Sequence, residues 1–286
     1  MKYDETVRTV NKVISQYSMA LTLRQIYYRL VAAGLIPNQR SAYNSLSSQL
    51  VRARENGEVD DNHIVDRSRS ITDISFDTPS DFLKVVKSIL RYHFVRRFWE
   101  SQETYVELWV EKDALSEVLS GAIEKFNTIV APSRGYSSYS YLKNAASRID
   151  KYAGGYRDAL ILHFADHDPS GIDMTRDLEE RLNRYCGYPV AVKRVALTFD
   201  QVKKYNLIPN PTKLADPRSA DYIARHGDEC WELDAIEPDE LVRLCQEAVK
   251  EQINAPSAWE EAKAKEQSDR LLILEEVEEI ENRLGI

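Results

Sequence analysis

One apolar segment that ends in two aspartates constrains the fold of this chain more than any other. The run Ala159–Phe164 is almost uninterruptedly apolar, which is typical of a strand buried on both faces in a parallel sheet covered by helices. Asp166 and Asp168 follow, and Pro169 and Gly171 prevent the strand from continuing. Because side chains alternate along an extended chain, the two carboxylates are expected to point the same way. They would then lie at the carboxyl edge of the sheet, where open α/β sheets bind ligands.

A second strand upstream also ends at an acidic residue. The β-rich stretch Tyr105–Val110 leads into Glu111, and a helical pattern starts at about Leu115. A further short strand and a helix separate it from Ala159–Phe164. This alternation predicts a parallel α/β unit that brings Glu111 to the same edge as the two aspartates. The alternatives are a solvated turn for the Asp-x-Asp pair and helix-dipole compensation for Glu111.

The two aspartates predict a metal ion. Asp166 and Asp168 repel each other, and no cation is obvious near them in the sequence. A hard, oxygen-loving cation such as Mg²⁺ removes that repulsion, so Mg²⁺ is the predicted ligand.

The N-terminal segment has a charge distribution suited to DNA. No acidic residue occurs from Thr6 to Arg54, although the whole chain has 46 Asp and Glu against 38 Lys and Arg. Three predicted helices and a wing at Glu58–Arg67 describe a winged helix-turn-helix with Arg40–Arg54 in the groove. The alternative is a winged helix used only for protein contact. The predicted DNA-binding side chains are Arg29, Arg40, Arg52 and Arg54.

Tyr28 is a candidate nucleophile within this segment. Helical spacing places Arg24 and Tyr28 on one face, and Arg29 follows directly. A phenol flanked by arginines can be stabilised as a nucleophile against a phosphate. The alternative is that Tyr27 and Tyr28 are core residues.

These motifs together resemble a Toprim domain, the catalytic domain of topoisomerases, some primases and several nucleases. The forms Val110-Glu111-Lys112-Asp113-Ala114 and Asp166-x-Asp168-Pro169-x-Gly171-Ile172 are most similar to the topoisomerase VI A subunit and the related meiotic double-strand-break proteins. The resemblance covers most of residues 20–250. Gln25 departs from it, because the family usually has Asp or Glu at that position.

The resemblance implies a function and partners. Tyr28 would form a 5′-phosphotyrosyl link to double-stranded DNA with Arg24 beside it, and Glu111 would help bind Mg²⁺ or move protons. A homodimer, in which the tyrosine of one subunit meets the metal site of the other, and a separate ATPase subunit would be the partners. Two other hypotheses are a hydrolytic Toprim nuclease, in which water attacks, and a DNA-binding subunit without activity.

The remaining sequence completes the predicted organisation. We expect a winged-helix domain at 1–70, a helical linker at 71–103, a Toprim domain at 104–245 and acidic C-terminal helices at 246–286. The α/β fold class follows from these parts. Three cysteines without paired spacing favour a cytoplasmic location. No apolar run approaches the ~20 residues of a membrane span, so no membrane contact is expected.

Overall fold

The computed structural model describes residues 1–65, 75–92, 94 and 96–285. The chain divides into two compact units. The first contains Met1–Arg67 and Tyr105–Gln252, and the second contains Ser68–Thr104 and Ile253–Ile286. The predicted winged-helix and Toprim segments therefore belong to the same unit, and the predicted linker belongs with the C-terminal helix.

The described residues form helices and strands that mostly alternate along the chain. The helices are α1 (Tyr3–Ile14), α2 (Leu23–Ala32), α3 (Arg40–Glu55), α4 (Pro79–Tyr92), α5 (Asp113–Ile123), α6 (Tyr139–Ala153), α7 (Pro169–Cys186), α8 (Phe199–Lys204), α9 (Ser219–His226), α10 (Pro238–Lys250) and α11 (Pro256–Leu284). The strands are β1 (Leu21–Thr22), β2 (Ile64–Val65), β3 (Thr104–Val110), β4 (Ile129–Pro132), β5 (Asp158–Phe164), β6 (Val190–Ala196), β7 (Asn210–Pro211) and β8 (Glu229–Cys230).

A four-stranded parallel sheet organises the first unit, in the order β4-β3-β5-β6. This confirms the predicted mixed α/β class with a parallel sheet. The strand β5 is buried along most of its length, as its apolar run predicts. Its Ile161 and Trp109 of the neighbouring β3 pack with Leu142 of α6 and Leu182 of α7 in one apolar core. The sheet therefore presents the ends of β3 and β5 side by side at its carboxyl edge.

The N-terminal part of the same unit contains the three predicted helices. Their apolar faces share a core that includes Val10, Ile26, Tyr28 and Leu50. The short strands β1 and β2 pair in parallel. The predicted wing at Glu58–Arg67 begins in the described region, and its last residues lie outside the described residues.

In the second unit, α11 packs against α4. Trp259 stacks edge-on against Phe98 and Trp99, and Lys87 pairs with Glu281. The apolar residues of α11 are only partly covered, because Val277 is buried while Leu284 is exposed. Among the described residues, no helix is long and apolar enough to cross a membrane.

Candidate active site

Glu111 lies directly after β3 and is held by backbone contacts on both sides. Its N–H donates to Phe164 O of β5 (2.8 Å), and its carbonyl accepts from Arg134 N–H (3.0 Å). Its carboxylate Oε2 accepts a hydrogen bond from the backbone N–H of Asp166 (3.0 Å). The structure thus brings Glu111 and Asp166 together, as the two strand ends predict.

Asp166 is buried at the end of β5. Its Oδ1 accepts from Leu233 N–H (2.7 Å) and lies 3.0 Å from Lys112 Nζ. Burial raises the pKa of Asp166 and outweighs the opposing effect of the Lys112 charge. This carboxylate is therefore tied both to the segment after β8 and to the residue that follows Glu111.

Asp168 has a structural task that the sequence pattern did not predict. It is the N-cap of α7, and its Oδ1 accepts from Gly171 N–H (2.6 Å) and Ser170 Oγ (3.0 Å). A side-chain cap of this kind satisfies a backbone donor that the first turn leaves free. The predicted metal ligand is thus also the residue that starts the helix.

We call Glu111, Asp166 and Asp168 the acid edge. The pKa of Glu111 is strongly raised there. Burial, and after it the charge of Asp166, raises the pKa of Glu111 to about 7, and Asp168 adds to the effect. A carboxylate with a pKa near neutrality is well placed to take up or release a proton.

Lys112 is the residue that sequence reasoning missed. Its ammonium contacts three carboxylates: Asp234 (2.7 Å), Glu232 (2.9 Å) and Asp166 (3.0 Å). Burial opposes its charge, but these acids raise the pKa of Lys112 well above its ordinary value. No cation is near the two aspartates in the sequence, but the fold places Lys112 against Asp166. Its place next to Glu111 in the sequence was the available signal.

Arg194 of β6 supports the same edge from within the fold. It donates to the carbonyls of Leu197 (2.9 Å), Gly171 (2.8 Å) and Ala165 (2.9 Å), and to that of Asp166. Burial lowers its pKa to about 10, against the opposing effect of the nearby acids. Arg194 therefore fixes the backbone that carries Asp166 while adding positive charge beneath it.

The donor set suits a hard cation by chemistry but not by arrangement. Carboxylate oxygens are the ligands that Mg²⁺ prefers. Among the described residues, however, no three His, Cys, Asp or Glu side chains are grouped so that they could hold a metal ion. Two of these acids are already engaged, Asp166 by the Lys112 ammonium and Asp168 as a helix cap. As they stand, the three predicted ligands Glu111, Asp166 and Asp168 do not form a metal site.

Tyr28 lies in the first unit with the acids but faces its interior. The side chain is 2% exposed, and its hydroxyl accepts from Asn210 Nδ2 (2.8 Å). Burial raises its pKa further, and Asn210 and Lys112 only partly oppose this. A cavity of ≈ 660 Å³ borders Tyr28 and Tyr205, and none of the three acids lines it. Tyr28 and Glu111 belong to the same compact unit.

The residues around Tyr28 hold α2 in place. Arg24 pairs with Glu232 (2.9 Å) and lies 4.8 Å above the Tyr43 ring. Gln25 completes a capping box with Thr22, each bonding the backbone N–H of the other. The departure of Gln25 from the family pattern therefore has a local structural role, and Arg24 is engaged by an acid.

The four predicted DNA-binding arginines differ in exposure. Arg40 and Arg52 are exposed on α3, and Arg52 lies over the Tyr3 ring at 4.4 Å. Arg54 is half-buried. Arg29 is only 14% exposed, donates to Ala235 O (2.7 Å) and pairs with Glu237 (2.8 Å). Both of these partners belong to the fold, so Arg29 is engaged within the protein.

Comparison with protein-family models, curated proteins and solved structures finds no match for this chain. Its function is therefore inferred from the geometry of the acid edge and its surroundings.

Proposed function

We propose that this chain is a DNA-cleaving protein of the topoisomerase VI A-subunit type, with a Toprim-like acid edge as its active site. One observation carries the proposal: Glu111, at the end of β3, and Asp166, just beyond β5, are joined by a hydrogen bond of 3.0 Å. The resulting cluster raises the pKa of Glu111 to about 7, chiefly through burial and the charge of Asp166. Carboxylates perturbed in this way are common at catalytic sites.

The N-terminal helices support DNA as the substrate. Their order, with β1 between α1 and α2 and β2 after α3, supports the proposed winged helix. Arg40 and Arg52 are exposed on α3, the helix proposed to enter the groove. Positive side chains on such a face supply sequence-independent affinity for the phosphate backbone.

Mg²⁺ is the proposed cofactor on the chemistry of the acids alone. Hard oxygen donors favour it over softer metals. A homodimer and a separate ATPase subunit are the partners that the resemblance implies. The chain's own residues have separate roles: Glu111 exchanges a proton, and Arg194 fixes the backbone that carries Asp166.

A second candidate function is hydrolysis by water, without a covalent tyrosine. The burial of Tyr28 favours it, because a phenol that is 2% exposed and bonded to Asn210 does not reach a phosphate as it stands. A tyrosyl route requires that Tyr28 leave Asn210 when DNA binds.

A DNA-binding subunit without activity is favoured by Lys112, which already neutralises part of the acid edge.

A quenched cleavage assay distinguishes these candidates. Supercoiled plasmid is incubated with the protein and Mg²⁺ or EDTA, stopped with detergent, and resolved with and without protease. The proposal predicts Mg²⁺-dependent cuts whose products migrate freely only after protease treatment, and no cuts by Tyr28→Phe. The matched control is Tyr27→Phe, which alters the neighbouring buried tyrosine and should still cut.

Each other result has a definite meaning. Protease-independent cuts that Tyr28→Phe also makes would assign the protein to the hydrolytic nucleases. If neither Mg²⁺ nor Mn²⁺ supports cleavage while DNA binding is intact, both enzyme hypotheses are excluded. The hypothesis of a DNA-binding subunit without activity then remains.

A further inference from the structure

Lys112 links the acid edge to the helix that carries Tyr28. Its three carboxylate partners lie in two places: Asp166 follows β5, whereas Glu232 and Asp234 follow β8. The latter two continue the connection to α2, Glu232 through Arg24 and Asp234 through the hydroxyl of Thr22 (3.2 Å). The ammonium is thus the shared point of two sets of contacts.

The Lys112 contact with Asp166 conflicts with metal binding at that carboxylate. Lys112 Nζ lies 3.0 Å from Asp166 Oδ1, and the same oxygen accepts the N–H of Leu233. A divalent cation bound to Asp166 would lie a few ångströms from a positive charge that is only 23% exposed. Repulsion between cations at this separation is large where water is largely excluded.

The Lys112 ammonium keeps other carboxylate partners if its contact with Asp166 is broken. Glu232 and Asp234 lie at 2.9 Å and 2.7 Å from the ammonium, closer than Asp166. The lysine can therefore give up one acid while keeping two, so its charge stays paired after the loss.

We propose that Lys112 is the built-in counter-ion of the acid edge, and that a divalent cation binds there only by displacing it from Asp166. This inference rests on the proposed function for the existence of a cation site. It explains why the acids do not converge as they stand: the position of the cation is taken by the protein's own ammonium. Lys112 then sets the affinity of the site for metal.

Direct measurement of Mn²⁺ binding tests the proposal without any activity. Free Mn²⁺ is measured by electron paramagnetic resonance as it is titrated into the wild-type protein and Lys112→Met. We expect Lys112→Met to bind Mn²⁺ at least tenfold more tightly. Arg24→Met is the matched control, since it removes one charge from the same network without touching Asp166, and it should change the affinity less than threefold.

Equal or weaker Mn²⁺ binding by Lys112→Met would overturn the proposal, as would equal gains in Lys112→Met and Arg24→Met. Absence of Mn²⁺ binding in every protein would also overturn it.

A second measurement covers a Lys112→Met protein that fails to fold. In the wild-type protein with ¹³C-labelled lysines, the Lys112 signal, assigned with Lys112→Arg, should shift on Mg²⁺ titration and saturate. An unmoved Lys112 signal under saturating Mg²⁺ contradicts displacement.

Failure of this inference and failure of the proposed function give different results. DNA cleavage by the wild-type protein with equal Mn²⁺ affinities removes the counter-ion role alone. If Lys112→Met binds Mn²⁺ more tightly but no DNA is cleaved, the proposed enzymatic function fails and the counter-ion role stands.

Discussion

At the scale of single residues, the turn between β5 and α7 depends on the missing side chain of Gly171. A Cβ at this position would lie 2.2 Å from the carbonyl oxygen of Asp166, a distance that backbone atoms cannot accept. The sequence predicts this glycine as a turn former, but it lies within α7 and is needed for close packing. The same carbonyl accepts from Arg194, so the neighbour that would have to move is part of the acid edge.

Gly171→Ala should therefore destabilise the protein. Alanine normally stabilises a helix by about 1 kcal/mol relative to glycine. Here overpacking should outweigh that gain and lower the free energy of unfolding by roughly 1–3 kcal/mol in urea titrations. Gly121→Ala, in α5 with nothing within 4 Å of its Cβ, is the control and should be neutral or stabilising. Equal effects of the two substitutions would refute the close approach.

His163 gives the fold a predictable dependence on pH. Burial, assisted by the charge of Arg194, lowers the pKa of its imidazole to about 3. Because the folded pKa lies below the ordinary 6.5, the neutral form stabilises the fold above pH 6.5. That stability is lost as the pH falls from 6.5 towards 3, at about 1.4 kcal/mol for each pH unit.

Unfolding titrations between pH 6 and 4.5 test this assignment. His163→Gln, which can still bond Thr175, should lose less stability on acidification than the wild type, by about 1.4 kcal/mol per pH unit. His63→Gln alters a half-exposed histidine and should keep the wild-type slope. An unchanged slope in His163→Gln would show that another group causes the acid sensitivity.

At the scale of secondary-structure elements, a buried ion pair joins β3 to α6. Glu107 is 0% exposed and receives two hydrogen bonds of 2.8 Å from Arg148. Tyr105 and Trp109, on the same face of β3, donate to the same carboxylate at 2.7 Å and 2.9 Å. Every oxygen of this buried charge is thus satisfied, and the strand that leads to Glu111 is fixed against its covering helix.

Glu107→Gln should be costly, because it leaves Arg148 without its charge partner. Removal of one member of a buried pair typically lowers the free energy of unfolding by about 3–5 kcal/mol. Glu180→Gln breaks an exposed pair with Arg176 on α7 and should cost under about 1 kcal/mol. Similar losses in both variants would mean that the Glu107 network adds nothing to the fold.

The proposed contact of α3 with DNA predicts how the DNA affinity of its arginine variants depends on salt. Arg40→Ala and Arg52→Ala should each reduce the slope of log affinity against log salt by about one, since each removes one phosphate contact. Arg243→Ala removes an arginine already held by Glu240 and Glu247 on α10, and it should leave the slope unchanged. A wild-type slope in the α3 variants would mean that this helix does not face DNA.

At the scale of the whole molecule, sequence patterns predict the elements better than their contacts. The strands β3 and β5 and the helix α3 lie within a few residues of their predicted positions, because apolar periodicity is a local property. The contact of Lys112 with Glu232 joins residues 120 positions apart, and no local pattern encodes it. The burial of Arg29 was missed for the same reason, since its partner Glu237 belongs to a distant segment.

The sequence therefore predicted where the acids lie in the fold but not which side chains they contact. Parallel strands end at one edge, which brings Glu111 and Asp166 together. The occupation of that edge by Lys112, and the use of Asp168 as a helix cap, depend on packing between segments that the sequence separates.

The plasmid cleavage rate of Glu111→Gln in Mg²⁺ decides whether this edge of the sheet is an active site. Glutamine keeps an oxygen to accept the Asp166 N–H but cannot exchange a proton or carry charge, so the fold and DNA affinity should persist. We expect cleavage reduced at least a hundredfold, while Glu117→Gln, an exposed acid on α5, cleaves at the wild-type rate. Wild-type cleavage by Glu111→Gln would contradict an active site at this position.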